Sequence, residues 1–205
     1  ASTEIAAQKA LASKGAVALE PGKYTVILEP EAASNLLQGL FRGFDARSAD
    51  EGRSFLSKKG GGTRLGEKLF DERVTVISDP ANKEIPKPGF VGDGRPREKT
   101  TWIEKGVVKN LSYSRYWAQK QGVKDVPPPG GFTMEGGNES LADLIKGTKK
   151  GILVTRFWYI RAVDPQTLLY TGLTRDGTFY IEDGKIKHPI KNFRFNESPV
   201  IMLNN

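Results

Sequence analysis

The sequence offers few side chains that could bind a catalytic metal or attack a substrate. It contains no cysteine and one histidine, His188, among its 205 residues. This composition excludes thiolate nucleophiles, disulfides and sulfur-ligated metals, and it leaves most metal-dependent and triad chemistry without its ligands. Because His188 directly precedes Pro189 at the end of a predicted hairpin strand, we interpret it as a strand residue rather than a metal ligand.

Other polar groups lack the spacing that their chemistry would need. Asp93 resembles an acid–base catalyst beside Asp71 and Glu72, but nothing in the sequence brings these carboxylates to one point. Lys58 lies beside three consecutive glycines in the stretch 57–70, as in a phosphate cradle. The stretch lacks the Lys-Ser/Thr ending of a P-loop, so we predict a mobile loop.

The stretch TRFWYIR combines arginines and aromatic residues within one predicted strand. Strand alternation places Arg156, Trp158 and Ile160 on one face, and Phe157, Tyr159 and Arg161 on the other. Since neither face is uniformly apolar or polar, we predict contacts to an extended peptide or a partner subunit from Arg156, Tyr159 and Arg161. The alternative is that these side chains only stabilise neighbouring strands.

Arg175 is a fourth candidate contact residue. It opens a predicted Arg175–Gly177 turn, in which Asp-Gly supplies the positive φ angles. From such a turn, the guanidinium of Arg175 could pair with a peptide carboxylate.

The charge of the chain is basic and partly local. The formal net charge is +7, with a pI near 9.5. The segment 83–124 holds ten Lys and Arg against four Asp and Glu, a balance of 10 − 4 = +6. Interspersed acids favour a solvated surface, and the alternative is a nucleic-acid footprint. No apolar run approaches the ~20 residues that span a bilayer, so we expect no membrane partner.

Helices and hairpins must position these side chains. The pattern predicts a helix over 2–14, a strand over Tyr24–Leu28, and a helix that buries Leu36, Leu37 and Leu40. A hairpin around Glu104–Gly106 and a helix capped by Ser140 follow. We therefore predict an α+β fold with antiparallel sheets and hairpins, two or three helices and one compact domain.

Five stretches, in their order along the chain, resemble the C-terminal part of the TldD/PmbA family, first described as modulators of DNA gyrase and regarded as metallopeptidases. They read PGKYTVILEPEAA, LGEKLFDERVTVISDP, WIEKGVVKNL, GILVTRFWYI and YIEDGKIKHPIKNFRFNESP. Single stretches such as IEDGKI are ordinary hairpins, whereas five in the same order form a specific pattern. The resemblance implies that residues 1–205 are a C-terminal domain, with an N-terminal domain before Ala1 and a tail after Asn205.

The resemblance also implies what the helix after Pro30 has lost. In the peptidase-type subunit, the matching segment carries His-Glu-x-x-x-His, whose histidines bind zinc and whose glutamate activates water. The first His aligns with Gln38, the Glu with Gly39 and the second His with Gly43. An amide and two glycines cannot replace these groups, so we expect no metal and no catalytic residue in this chain.

The chain is therefore similar to the zinc-free TldE/PmbA-type subunit. The resemblance implies a dimer in the cytoplasm, with a zinc-bearing TldD-like subunit or a second copy, that binds unfolded peptide for proteolysis. Zinc is expected only in the partner subunit. The alternative is a basic module that contacts nucleic acid or a DNA-associated protein such as gyrase.

Overall fold

The computed structural model describes residues 2–204 and has a mixed α+β architecture. Its helices are α1 (Ser2–Ala12), α2 (Pro30–Phe41), α3 (Ala46–Asp50), α4 (Arg115–Gln121), α5 (Leu141–Gly147) and α6 (Pro199–Met202), with a 3₁₀ turn over Arg42–Phe44. Its strands are β1 (Val26–Leu28), β2 (Val76–Ser78), β3 (Thr100–Glu104), β4 (Val107–Val108), β5 (Thr133–Met134), β6 (Lys150–Asp164), β7 (Leu169–Glu182), β8 (Lys185–Pro189) and β9 (Arg194–Glu197).

The contacts divide the chain into two units, each assembled from several stretches. Unit 1 contains the described residues up to Gln38, together with Gly137–Val163 and Tyr170–Glu197. Unit 2 contains Gly39–Gly136, Asp164–Leu169 and the described residues from Ser198 onward. Because each unit draws on distant stretches, no linker in the sequence marks a boundary between them.

Unit 1 is built on a sheet with the strand order β1-β6-β7-β8, in which β9 also pairs with β7. β1 runs parallel to β6, with Val26 opposite Ile152 and Leu28 opposite Val154. Leu153, Ile27, Phe179 and Ile181 form the apolar core of this sheet, and Ile145 of α5 packs against them. The predicted Ser140 cap of α5 is part of a capping box. The Ser140 side chain accepts from the Asp143 N–H, and the Asp143 side chain accepts from the Ser140 N–H.

Unit 2 is built on a second sheet with the strand order β4-β3-β2-β5. An aromatic cluster packs around Trp102, which is fully buried. The Trp102 indole N–H donates to Ser78 Oγ at 2.8 Å, which satisfies a polar group that burial would otherwise leave without a partner. The rings of Phe41 and Phe44 lie 5.9 and 6.3 Å from that of Trp102.

The structure confirms the α+β class and corrects three details. There are six helices among the described residues rather than two or three; two of the additional helices, α3 and α6, span five and four residues, too short to show an apolar period. The β1–β6 pair is parallel, whereas we predicted antiparallel sheets. The prediction of a turn at Arg175–Gly177 is wrong. These residues lie inside β7, where Asp176 and Gly177 have φ of 60° and 118°.

In the described part of the chain, we find no helix that combines the length and the apolar character required to cross a bilayer.

Candidate functional site

Helix α2 carries two of the three positions that align with the zinc motif. The helix begins at Pro30, whose fixed φ suits the first helical position. It buries Leu36, Leu37 and Leu40, as the apolar spacing predicts. Gln38 lies on the exposed side, and its amide donates to Ser34 Oγ at 3.2 Å one turn earlier. The Gln38 side chain therefore bonds along its own helix.

The third position, Gly43, lies beyond the end of α2 in the 3₁₀ turn. A Cβ built on Gly43 would lie 2.5 and 2.7 Å from Cε1 and Cδ1 of the Phe55 ring and 3.4 Å from Ser54 Oγ. The Phe55 ring is 4% exposed, so it has little room to move away. Gly39, one residue after Gln38, is buried near the end of the helix. A side chain at position 43 would therefore have to displace the Phe55 ring.

The residues at these positions do not fit a zinc ion. Zinc sites in proteins use Cys, His, Asp or Glu side chains. Among residues 2–204, we find no group of three or more such side chains that could hold a metal ion. Gln38 offers only a neutral amide, and the two glycines offer no side chain.

Two of the three carboxylates that resemble acid–base catalysts, Asp93 and Asp71, are held by arginines in unit 2, and Glu72 lies 3.8 Å from Lys68 Nζ. Arg95 is 7% exposed, and its guanidinium donates to Asp93 and to Asp125. Its hydrogen bonds lower the pKa of Asp93. Hydrogen bonds from Arg73 lower the pKa of Asp71 to about 2. Carboxylates whose pKa is lowered in this way stay ionised at neutral pH, which suits ion pairing rather than proton transfer.

The candidate contact residues of unit 1 form two clusters on the β6–β7 hairpin. In the first cluster, the Arg156 guanidinium lies 4.9 Å from the centroid of Trp158, and that of Arg175 lies 5.0 Å from it. Arg156 also pairs with Asp176 at 2.9 Å. Its Nε is buried without a hydrogen-bond partner among the described residues. This cluster presents an indole, 41% exposed, with two guanidinium groups close to its ring.

The second cluster joins Tyr159 and Arg161, whose Cζ lies 4.5 Å from the tyrosine ring. Tyr159 is 57% exposed and adopts φ of 53° within β6. Positive φ is rare for a bulky residue and is held only where the surrounding structure imposes it. The backbone of β6 therefore changes direction at Tyr159.

The edge of β6 has a strand partner along only part of its length. β1 pairs with Ile152, Leu153 and Val154, and β7 lies on the other side of β6. Further along β6, the Phe157 N–H donates to Asn35 Oδ1 of α2 at 3.1 Å. Within residues 2–204, no strand pairs with this edge of β6 beyond Phe157. Backbone groups along such an edge can accept an added strand.

The sequence brought some of these residues together and missed others. Alternation correctly placed Trp158 on the face of Arg156 and Tyr159 on the face of Arg161. It gave no sign that Arg175 lies over Trp158, since that contact depends on how β7 pairs with β6. Asn35 was not a candidate, and a helical Asn carries no local signal for capping a strand.

The comparisons with known proteins agree with one another. The sequence model of the family described as the PmbA/TldA metallopeptidase C-terminal domain matches residues 21–205. A metalloprotease of Methanothermobacter thermautotrophicus is 24% identical over 205 positions, covering 90% of this chain and 42% of the relative. A metalloprotease of Archaeoglobus fulgidus is 33% identical over 108 positions, covering 52% of this chain and 24% of the relative.

Solved structures of similar proteins share the fold of this chain. A candidate modulator of DNA gyrase from Bacteroides thetaiotaomicron superposes with a TM-score of 0.84 at 25% identity, covering 98% of this chain and 45% of the other. TldE from Thermococcus kodakarensis superposes with a TM-score of 0.85 at 22% identity, covering 98% and 47%. The chain thus spans less than half the length of each of these relatives.

Proposed function

The chain belongs to the PmbA/TldA metallopeptidase C-terminal domain family, and we propose that it serves as the zinc-free half of a two-subunit peptidase. The observation that carries this proposal is the state of the three motif positions. Gln38 bonds along its own helix, and a side chain at Gly43 would overlap the Phe55 ring. A zinc-dependent reaction would then need its metal from a partner subunit that carries His-Glu-x-x-x-His.

The β6–β7 hairpin supports a role in holding an extended peptide. The edge of β6 beyond Phe157 offers backbone donors and acceptors, which give affinity without sequence specificity. Trp158 and Tyr159 offer exposed rings, each flanked by arginine. Trp, Tyr and Arg are the residue types that contribute most to binding at protein interfaces.

The partner in this proposal is a zinc-bearing TldD-like subunit, with a second copy of this chain as the other possibility. We place the complex in the cytoplasm, which suits a chain without cysteine. A pairing role would explain why a chain with Gln38, Gly39 and Gly43 at the zinc-motif positions keeps the fold of a metallopeptidase domain.

The experiment measures cleavage of a disordered peptide by the full-length protein alone, by a zinc-bearing relative alone, and by the two together. We expect cleavage from the mixture and none from this protein alone, even with added zinc. Zinc-dependent cleavage by this protein alone would overturn the proposal.

A variant then tests the hairpin. Trp158→Ala should raise KM of the mixture about fivefold or more, as expected for removal of a buried interface aromatic, with kcat little changed. Trp158→Phe is the matched control, since it keeps an aromatic side chain close to Arg156 and Arg175. Unchanged KM in Trp158→Ala would exclude the hairpin from peptide binding.

The second candidate function is contact with nucleic acid through the segment 83–124. It is favoured by six cations that have no carboxylate within 4.0 Å among the described residues: Lys83, Lys87, Arg97, Lys105, Arg115 and Lys120. The segment's other charges include Arg95, Lys99, Lys109 and Lys124, which are paired with acids. Measuring the affinity for duplex DNA at increasing salt concentration tests this function. A shallow dependence of the binding constant on salt would mean few phosphate contacts and would exclude it.

A further inference from the structure

A cleft in unit 2 combines apolar walls with two cations that have no ion-pair partner in the described part of the chain. Its apolar walls are formed by Pro80, Ile85, Pro127–Pro129 and Phe132. The three consecutive prolines fix their own φ angles, so this wall is ordered without a ligand. A site ordered in advance loses less conformational entropy when it binds.

Two cations line this cleft without an acidic partner. Arg97 Nη1 donates to the carbonyl oxygens of Pro88 at 2.9 Å and Phe90 at 3.1 Å, which fixes the guanidinium in place. Arg97 Nε is buried and has no hydrogen-bond partner among the described residues. Lys87 is exposed and lines the same cleft, and in residues 2–204 neither cation lies within 4.0 Å of a carboxylate.

Two acids, Asp79 and Glu98, also line the cleft, and each is paired with a cation from outside the lining. Asp79 lies 4.0 Å from Lys99 Nζ, and Glu98 lies 2.9 Å from Lys124 Nζ. Neither Lys99 nor Lys124 lines the cleft. Lys87 and Arg97 are therefore the two charged groups of the lining that have no ion-pair partner among the described residues.

Two consecutive glycines make room for these two cations. A Cβ on Gly130 would lie 2.7 Å from Arg97 Cζ and 2.8 Å from its Nε. A Cβ on Gly131 would lie 3.1 Å from Lys87 Cε. Neither glycine has a positive φ, so the need for glycine here is steric: it lets the two side chains lie against the backbone.

We propose that this cleft binds a carboxylate of an extended peptide segment. The carboxylate lies between Lys87 and Arg97, and an adjoining apolar side chain packs against Pro127–Pro129. Guanidinium and ammonium groups together favour a carboxylate, and the proline wall favours a flat apolar neighbour over a bare ion. The proposal does not depend on the β6–β7 hairpin, because all the residues it uses lie in unit 2.

The test titrates the ¹⁵N-labelled chain with N-acetyl-Ala-Pro-Phe and follows the amides of Gly130 and Gly131 and the Nε–H of Arg97 by NMR. The peptide amide lacks the carboxylate and should bind about tenfold more weakly. N-acetyl-Ala-Phe-Glu-Ala-amide carries its carboxylate on a side chain, so its affinity tells which source the cleft prefers. Inorganic phosphate is the probe for a bare anion and should bind more weakly than the carboxylate peptide that binds best.

Variants separate the cleft from general charge. Lys87→Gln should weaken binding about twofold to fivefold, whereas Lys83→Gln, an exposed lysine outside the cleft, should leave it unchanged. Gly130→Ala should displace Arg97 and shift its Nε–H resonance in the free protein. The proposal would be overturned if N-acetyl-Ala-Pro-Phe and its amide bound equally well, or if both lysine variants lost the same affinity. Dissociation constants above about 10 mM for both carboxylate peptides would overturn it as well. Phosphate binding as tightly as the better carboxylate peptide would overturn it too.

Discussion

Replacing Gly43 with alanine tests whether the second motif position can hold any side chain. The new Cβ would lie 2.5 Å from Cε1 of Phe55, closer than real Cβ contacts come. Adding a methyl group to a packed site costs about 1–3 kcal/mol. Alanine also restricts the unfolded chain, which returns about 0.5–1 kcal/mol where the backbone can accept it. We therefore expect Gly43→Ala to lower the free energy of unfolding by about 1–2 kcal/mol.

The assay is urea unfolding followed by tryptophan fluorescence in a Trp158→Phe background. Trp102 and Trp117 both lie in unit 2 and then report its unfolding. The urea midpoint should fall by about 0.5 M or more. Gly92→Ala is the matched control, because Gly92 also lies in unit 2, has no positive φ, and its Cβ would meet nothing within 4 Å. That variant should be neutral or slightly stabilising.

A double variant identifies the cause. In a Phe55→Leu background the ring is gone, so Gly43→Ala should cost little or nothing, giving a coupling energy of about 1–2 kcal/mol. If Gly43→Ala alone is as stable as the parent, position 43 has room for a side chain. The steric argument against a metal ligand there would then be refuted.

Two further predictions concern hydrogen bonds on α2 and α3. Asn35→Ala leaves the Phe157 N–H without its acceptor and should cost about 1–2 kcal/mol in urea unfolding, while Asn35→Asp should keep the bond; equal stability of all three proteins would contradict this. Hydrogen bonds from Arg47 and Arg53 lower the pKa of Glu51, so its stabilising contribution is present at neutral pH and lost as the pH falls below about 4. The stability gap between the parent and Glu51→Gln should therefore shrink from pH 7 to pH 3, and a constant gap would contradict the ion pairing.

Local sequence signals predicted those hairpins in which the turn residues lie between the ends of the two paired strands. The hairpin around Glu104–Gly106 is confirmed, with φ of 47° at Lys105 and 78° at Gly106. The turn at Asp183 and Gly184 is confirmed in the same way. Asp-Gly at 176–177 has the same local signal, yet β7 continues through it. At this position the pairing of β7 with its neighbouring strands determines whether the strand continues. The two residues themselves do not encode that pairing.

The candidate surface was predictable only along one strand. A period of two places Arg156 with Trp158, because both lie on β6. The hydrogen bond from Phe157 to Asn35 joins residues 122 positions apart, and it depends on where α2 packs beside the sheet. The overlap at Gly43 also depends on tertiary packing, since Phe55 reaches it from beyond α3. The motif alignment marked this position, and packing gives the physical reason why a ligand does not fit.

The zinc content of the purified full-length protein tests the absence of a metal site most directly. The protein is equilibrated with excess zinc, passed through a desalting column and measured by elemental analysis, beside a relative that carries His-Glu-x-x-x-His. We expect one zinc per chain in the relative and far less than one in this protein. One tightly bound zinc per chain of this protein, lost when Gln38 is replaced by alanine, would contradict the account.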